Sequence, residues 1–236
     1  MNKCFLCGED KKLIKAHIIP EKYFTKTKKL QKIYSYDGDY PKKNRIGVYD
    51  NEILCSDCDG KLGKYDEYSY EVLFNLEKFI CERDKNGIKV KNIDSNKLKL
   101  FYLSIIWRAH ISKRPEFKKI DLGEKYSKII KNSLLNNKLP EASFFEISIW
   151  KHYFENNKIE EDDIDIMFFS PIKHKFEQTN CYIFLFGGYS HYIKIDNRSR
   201  FLDDCLIVKN SEFAIPLQSF EKSLFAKPVN KIIARN

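Results

Sequence analysis

No stretch of the 236-residue sequence stays apolar for long: the longest runs, such as Tyr182–Phe186, stop far short of a membrane span, and mean hydropathy is −0.50. A spanning helix needs roughly 20 such residues, so no membrane partner is expected. Glycine (9) and proline (7) are sparse and never accumulate with serine, which excludes a long disordered linker. The start, Met1-Asn2-Lys3-Cys4, lacks the apolar segment of a secretory signal. A cytoplasmic, reducing setting is therefore expected, in which disulfides are not. There is also no phosphate-cradling glycine loop, no Walker lysine and no Gly-x-Ser-x-Gly elbow.

What is present is basic and rich in core-forming residues. Hydrophobic residues make up 43% and aromatics 14%, enough to bury a real core. The net charge of +9 and pI near 9.0 favour an acidic partner, of which nucleic acid is the commonest. Seven cysteines would leave one unpaired in a disulfide framework. Four of them instead form two Cys-x-x-Cys knuckles, Cys4/Cys7 and Cys55/Cys58. Two thiolates on one tight turn can grip an ion, and two such turns complete the four-sulfur shell of structural Zn²⁺. Gly8 and Gly60 follow the knuckles closely and would let the chain turn around the sulfurs. A redox dithiol is the competing reading, although such pairs normally occur singly. Cys81, Cys181 and Cys205 are scattered in apolar surroundings and read as core thiols.

The interval between the knuckles exceeds the roughly 15–20 residues of a compact zinc ribbon. It carries Ala16-His17-Ile18-Ile19-Pro20 near its start and Gly47–Leu54 leading into the second knuckle. With Cys4, Cys7, Asn51 and Leu54-Cys55-Ser56-Asp57-Cys58-Asp59, this string resembles the HNH endonuclease family over about the first 80 residues. The resemblance implies a ββα-metal active site on a four-cysteine zinc scaffold. It implies His17 as general base, Asn51 as the residue that orients it, and Asp59 as a ligand of a catalytic Mg²⁺ or Mn²⁺. Two positions depart from the family pattern: Ala16 stands where an acidic ligand is usual, and Asp59 where a histidine is usual. A carboxylate suits Mg²⁺ or Mn²⁺ at least as well as imidazole does. Alanine supplies no ligand, so Asp50, Asp66 or Glu67 is expected to replace it; Asp50 also competes with Asn51 for the orienting role. The family is found in restriction, phage defence and mobile elements, in some cases beside an ATPase that gates the nuclease.

The same residues can be read without the family. Phosphodiester hydrolysis needs an activated water and positive charge on the phosphate, which a neutral histidine beside a divalent ion supplies. Pro20 biases Ile19 toward extended backbone, placing His17 at a strand end. A histidine that merely packs is the bland alternative. Lys26, Lys28, Lys29, Lys42, Lys43 and Arg45, interleaved with tyrosines, suit a loop or hairpin that grips nucleic-acid phosphates. A general lysine bias of the composition explains them equally well.

Beyond the second knuckle, apolar residues at helical spacing predict a helix from Asp59 to about Glu82. Asp59 would then lie at its start, where a capping role competes with metal binding. Further helices are expected over Lys97–Ile111 and Asp121–Asn137. Alternating segments after Pro140 predict strands, with Gly187-Gly188-Tyr189-Ser190 joining the last two as a hairpin. Trp107-Arg108-Ala109-His110 reads as a satisfied helix face, and Glu160–Asp163 as a solvated turn. The expectation is an α+β protein: a zinc-stabilised HNH-like nuclease module over residues 1–83, then helices and an antiparallel sheet over 84–236 that select substrate or partner. The rival is a catalytically inactive zinc-knuckle protein that binds nucleic acid or scaffolds a complex.

Overall fold

The computed structural model describes residues 3–24, 31–34, 42–44, 48–141, 144–155, 165, 167–176, 178–198 and 212–227. They form an α+β fold with a two-stranded ribbon and a nine-stranded sheet. The ribbon pairs β1 (Ala16–Ile19) with a distant β4 (Val48–Asp50), antiparallel, setting Ala16 opposite Asp50 and His17 opposite Tyr49. Pro20 cannot donate to a ladder and ends β1, and a short 3-10 turn over Glu21–Phe24 follows. Between the two ribbon strands the chain makes β2 (Gln31–Tyr34) and β3 (Lys42–Asn44), an antiparallel pair at one edge of the large sheet.

Helix α1 (Ser56–Phe74) begins directly after the first cysteine of the second knuckle, so the ribbon and α1 follow in ββα order. It stops at Phe74, eight residues before the expected Glu82, with Asn75 as the C-cap. Phe79 continues the helical spacing, yet it returns from the following 3-10 turn to meet Tyr68 edge-on, at 6.4 Å. The spacing thus recorded a packing face and not a continuing helix. Residues Ile80–Arg83 form β5, which turns into β6 (Gly87–Lys91), with Asp84 Oδ1 accepting from the amides of Asn86 and Gly87 at 2.7 and 2.9 Å. Gly87 is required there, because a Cβ would lie 2.4 Å from the Ile215 carbonyl. The turn-rich cluster at residues 84–87 is therefore a hairpin, and one hydrophobic cluster runs from Cys4 and Leu6 through Phe101 to Ile215.

Helix α2 (Ser95–Ile111) is capped by Asp94, whose carboxylate accepts from the Lys97 amide at 3.0 Å. It is buried on nearly every side, from Leu98 to Ala109, because α1, α3 and β1 all pack against it. Helix α3 (Gly123–Asn136) ends on left-handed Asn137. The centre of the sheet is the expected antiparallel array: β7 (Ile147–Tyr153), β8 (Met167–Phe176), β9 (Thr179–Phe186) and β10 (Tyr189–Lys194). Its order is β3-β2-β8-β9-β10-β7-β11-β6-β5, where β11 is Glu212–Ser219. Two joins, β2 with β8 and β11 with β7, are parallel. Gly187 and Gly188, at φ +60° and +77°, make the two-residue turn from β9 to β10. The helices cover one face of the sheet. A smaller cluster around Phe169, Leu185, Phe220 and Phe225 occupies the other.

Candidate functional site

The four knuckle cysteines converge, with their sulfurs all within 4.8 Å of one another. The convergence is built by backbone. The first knuckle closes through Gly8 N–H to Cys4 O at 2.8 Å, and Gly8 takes φ +80°. Phe5 and Ile14 amides donate to Ile53 and Leu54, which pins the first knuckle beside the second. Cys55 is the N-cap residue of α1 and Cys58 lies in its first turn. Burial raises the Cys4 thiol, but amides of Cys55, Cys7 and Leu6 donate to the sulfur and bring it down to about 7. Burial and the neighbouring sulfurs push Cys58 upward. A cation among the sulfurs would remove that mutual penalty. Four sulfurs at this spacing fit a tetrahedral structural metal such as zinc. Cys181 is buried and Cys81 half-buried, while Cys205 lies outside the described residues.

His17 is half-buried on β1. Its Nε2 is shielded from solvent with no hydrogen-bond partner among the described residues, and Glu21 Oε2 stands 3.8 Å away. Glu21 was not foreseen. The signal was its position just after the His-Ile-Ile-Pro string, since the turn that Pro20 starts folds it back over the imidazole. The strand itself is anchored at the His17 carbonyl, which accepts from Arg108 Nη1 at 2.6 Å.

Asp59 lies in the first turn of α1. Burial, then Asp66, raises its carboxyl, while Arg108 and His17 pull it down, so it senses the imidazole. Because Cys55 caps the helix, Asp59 is four residues inside it, and the capping role weighed for it does not apply. The replacement ligands expected from the sequence are otherwise engaged. Asp66 accepts both guanidinium arms of buried Arg108, at 2.7 and 3.0 Å. Glu67 pairs with Lys22 at 3.4 Å. Asp50 is one residue out of step with His17, so it points to the opposite face of the ribbon. There it accepts from the Glu52 amide at 2.8 Å and Ser112 Oγ at 2.6 Å. Asn51 is exposed in the bend after β4, with no hydrogen bond to His17. The structure thus sets Glu21 against His17, with Asp59 in the first turn of α1 within electrostatic reach of the imidazole, and leaves Asp50 and Asn51 apart from them.

Among the described residues, the cysteines are the only metal-holding group of three or more side chains. Lys42 and Lys43 lie on β3, while Lys26, Lys28, Lys29, Arg45 and the Glu160–Asp163 run fall outside the described residues. In the Trp107–His110 stretch, expected to be satisfied, Arg108 is fully paired and His110 Nδ1 accepts from the Leu122 amide at 3.3 Å, but the buried Nε1 of Trp107 has no hydrogen-bond partner among the described residues. No family model, curated protein or solved structure matches the chain.

Proposed function

We propose that the protein is an HNH-type endonuclease that hydrolyses phosphodiester bonds of nucleic acid, DNA in preference to RNA, with a divalent ion as cofactor. The observation that carries this reading is the unpartnered Nε2 of His17, facing a carboxylate on a ββα frame whose helix starts in a four-cysteine cluster. His17 acts as general base toward water. Glu21 and Asp59 are hard oxygen donors that would hold Mg²⁺ or Mn²⁺, ions that commonly take one or two carboxylates and complete their shell with phosphate and water. When bound, such an ion neutralises charge on the phosphate and leaving oxygen. Asp59, kept from full solvation, resists ionisation when alone and gains from a cationic neighbour. Arg108 keeps the His17 backbone fixed relative to α1 through Asp66.

The test is incubation of purified protein with Mg²⁺ or Mn²⁺ and a panel of plasmid, duplex, single-stranded DNA and tRNA. Cleavage by wild type and a loss of about 10²–10⁴-fold or more in His17→Ala is expected, with the variant's metal content and melting temperature nearly unchanged. Cleavage that survives in His17→Ala defeats the assignment. A binding module without catalysis is the second reading, favoured by buried Ala16 in place of an acidic ligand. Binding by wild type without cleavage of any substrate would select it.

A further inference from the structure

Lys15 immediately precedes β1, two residues before His17, so strand alternation directs its side chain to the His17 face. Tyr49, opposite His17 in register, lies on the same face. The contacts agree: Lys15 Nζ is 4.2 Å from the centre of the Tyr49 ring, and the Tyr49 and His17 rings meet edge-on at 6.3 Å. Tyr49 is held in turn, since Arg114 Nη1 donates to its carbonyl at 2.7 Å and Arg114 is itself braced by Glu116 at 3.0 Å.

The ring distinguishes Lys15 from the lysines around it, since exposed Lys12 likewise has no carboxylate partner among the described residues but no ring beneath it there. Lys11 is paired with Glu9 and Asp57, Lys22 with Glu67 and Lys113 with Glu52. Exposed Lys15 has a ring for a partner, and no carboxylate among the described residues pairs with it. An aromatic face attracts an ammonium through its quadrupole without cancelling the charge. The ammonium is thereby localised beside the imidazole and keeps its attraction for an anion.

We propose that Lys15, seated on Tyr49, is a phosphate contact of this face and holds the nucleic-acid backbone against His17. The proposal rests on the nuclease reading and adds to it where the substrate backbone lies.

The experiment measures binding, so it does not depend on cleavage. Full-length wild type, Lys15→Gln, Tyr49→Phe, Tyr49→Leu and Lys128→Gln, the last an exposed control on α3, are titrated onto labelled duplex DNA across a salt series without added divalent ions. Metal content and melting temperature are measured on each variant. Lys15→Gln should flatten the slope of log K against log salt by about 0.9, equivalent to roughly eightfold weaker binding at about 0.1 M salt. Tyr49→Phe keeps the ring and should match wild type. Tyr49→Leu removes the seat and should move toward Lys15→Gln. A Lys15→Gln slope equal to that of Lys128→Gln overturns the proposal and leaves the nuclease reading intact. A Tyr49→Leu protein that binds like wild type overturns the seat. Absence of binding by wild type even at the lowest salt overturns both readings.

Discussion

Two carboxylates bear on His17, Glu21 at 3.8 Å and Asp59 electrostatically from the first turn of α1, and they differ in how the chain presents them. Glu21 is half-exposed on a short turn, whereas Asp59 is half-buried in a helix that the cysteine cluster anchors. Asp59→Ala should therefore spare stability, since the change removes a carboxylate that burial disfavours and no cap is lost. Cleavage should fall and recover in part as Mn²⁺ is raised, because a weakened site still fills by mass action. A melting curve and a Mn²⁺ titration on the same variant check both halves; lost activity that no Mn²⁺ concentration restores would remove Asp59 from the ion site. At this scale the sequence was readable where spacing carries the information. The Cys-x-x-Cys pairs and His17 depend on a few neighbouring positions. Glu21 depends on a turn, and Lys15 and Tyr49 on the pairing of strands that end at Ile19 and begin again at Val48. Only Glu21 leaves a local trace, its place just after Pro20; the pairing of Lys15 with Tyr49 leaves none.

Among the elements, α2 is the one that ties the ribbon to the rest of the protein. Arg108 reaches from its last turn to β1 and α1 together, and the following loop holds β4 through Ser112 and Arg114. Removing one partner of a buried ion pair strands the other. Arg108→Met should thus cost about 3–5 kcal/mol in urea unfolding, and adding Asp66→Asn should return a substantial part. If the double variant is as unstable as the single, the loss comes from packing and the His17 carbonyl contact instead. Helix α2 and the central strands were legible because their apolar periods are long and uninterrupted. The end of α1 was not, since Phe79 keeps the helical period while packing from outside the helix. Strands β2 and β3 agree with the hairpin alternative raised for the lysine-rich segment, but the parallel pairing of β2 with β8 is an order that the residues themselves do not signal.

For the molecule as a whole, two groups of titratable side chains set the conditions under which the fold persists. His191 is fully buried; its Nε2–H donates to Phe186 O at 3.1 Å, so Nδ1 of the neutral ring accepts from Tyr102 Oη at 2.9 Å, and burial lowers its pKa to about 3. Burial lowers His152, which meets Ser190 Oγ at 2.5 Å, to about 4. Both folded values lie below the unfolded value of about 6.5, so the unfolded chain binds more protons in acid. Stability should be intact above about pH 6.5 and fall toward pH 4, by up to roughly 1.4 kcal/mol per histidine per pH unit. Denaturant midpoints at several pH values test this, and replacing His152 with Gln should make the dependence shallower. The cysteine cluster sets the second condition. Cys58→Ser should lower metal content below one per chain and destabilise the ribbon and α1, as elemental analysis and hydrogen exchange would report. Full metal content with unchanged protection would end the four-cysteine assignment. Fold class was readable from the switch of period after Pro140. The strand order was not, since it joins segments from opposite parts of the chain.

That order has a kinetic consequence. Strands β8, β9, β10 and β7 can pair through short or moderate connections, but β2 must wait for β8, and β6 cannot be flanked on both sides until β11 arrives. Such distant pairings carry a high loop-closure cost before any contact repays it, which slows folding. Meanwhile the β5–β6 hairpin and the outer margin of β8 expose unsatisfied backbone, the template on which chains join one another. Refolding yield should accordingly fall as protein concentration rises, even where the finished protein is stable, and the gap between the two would be set by how long the β11 side of β6 stays open.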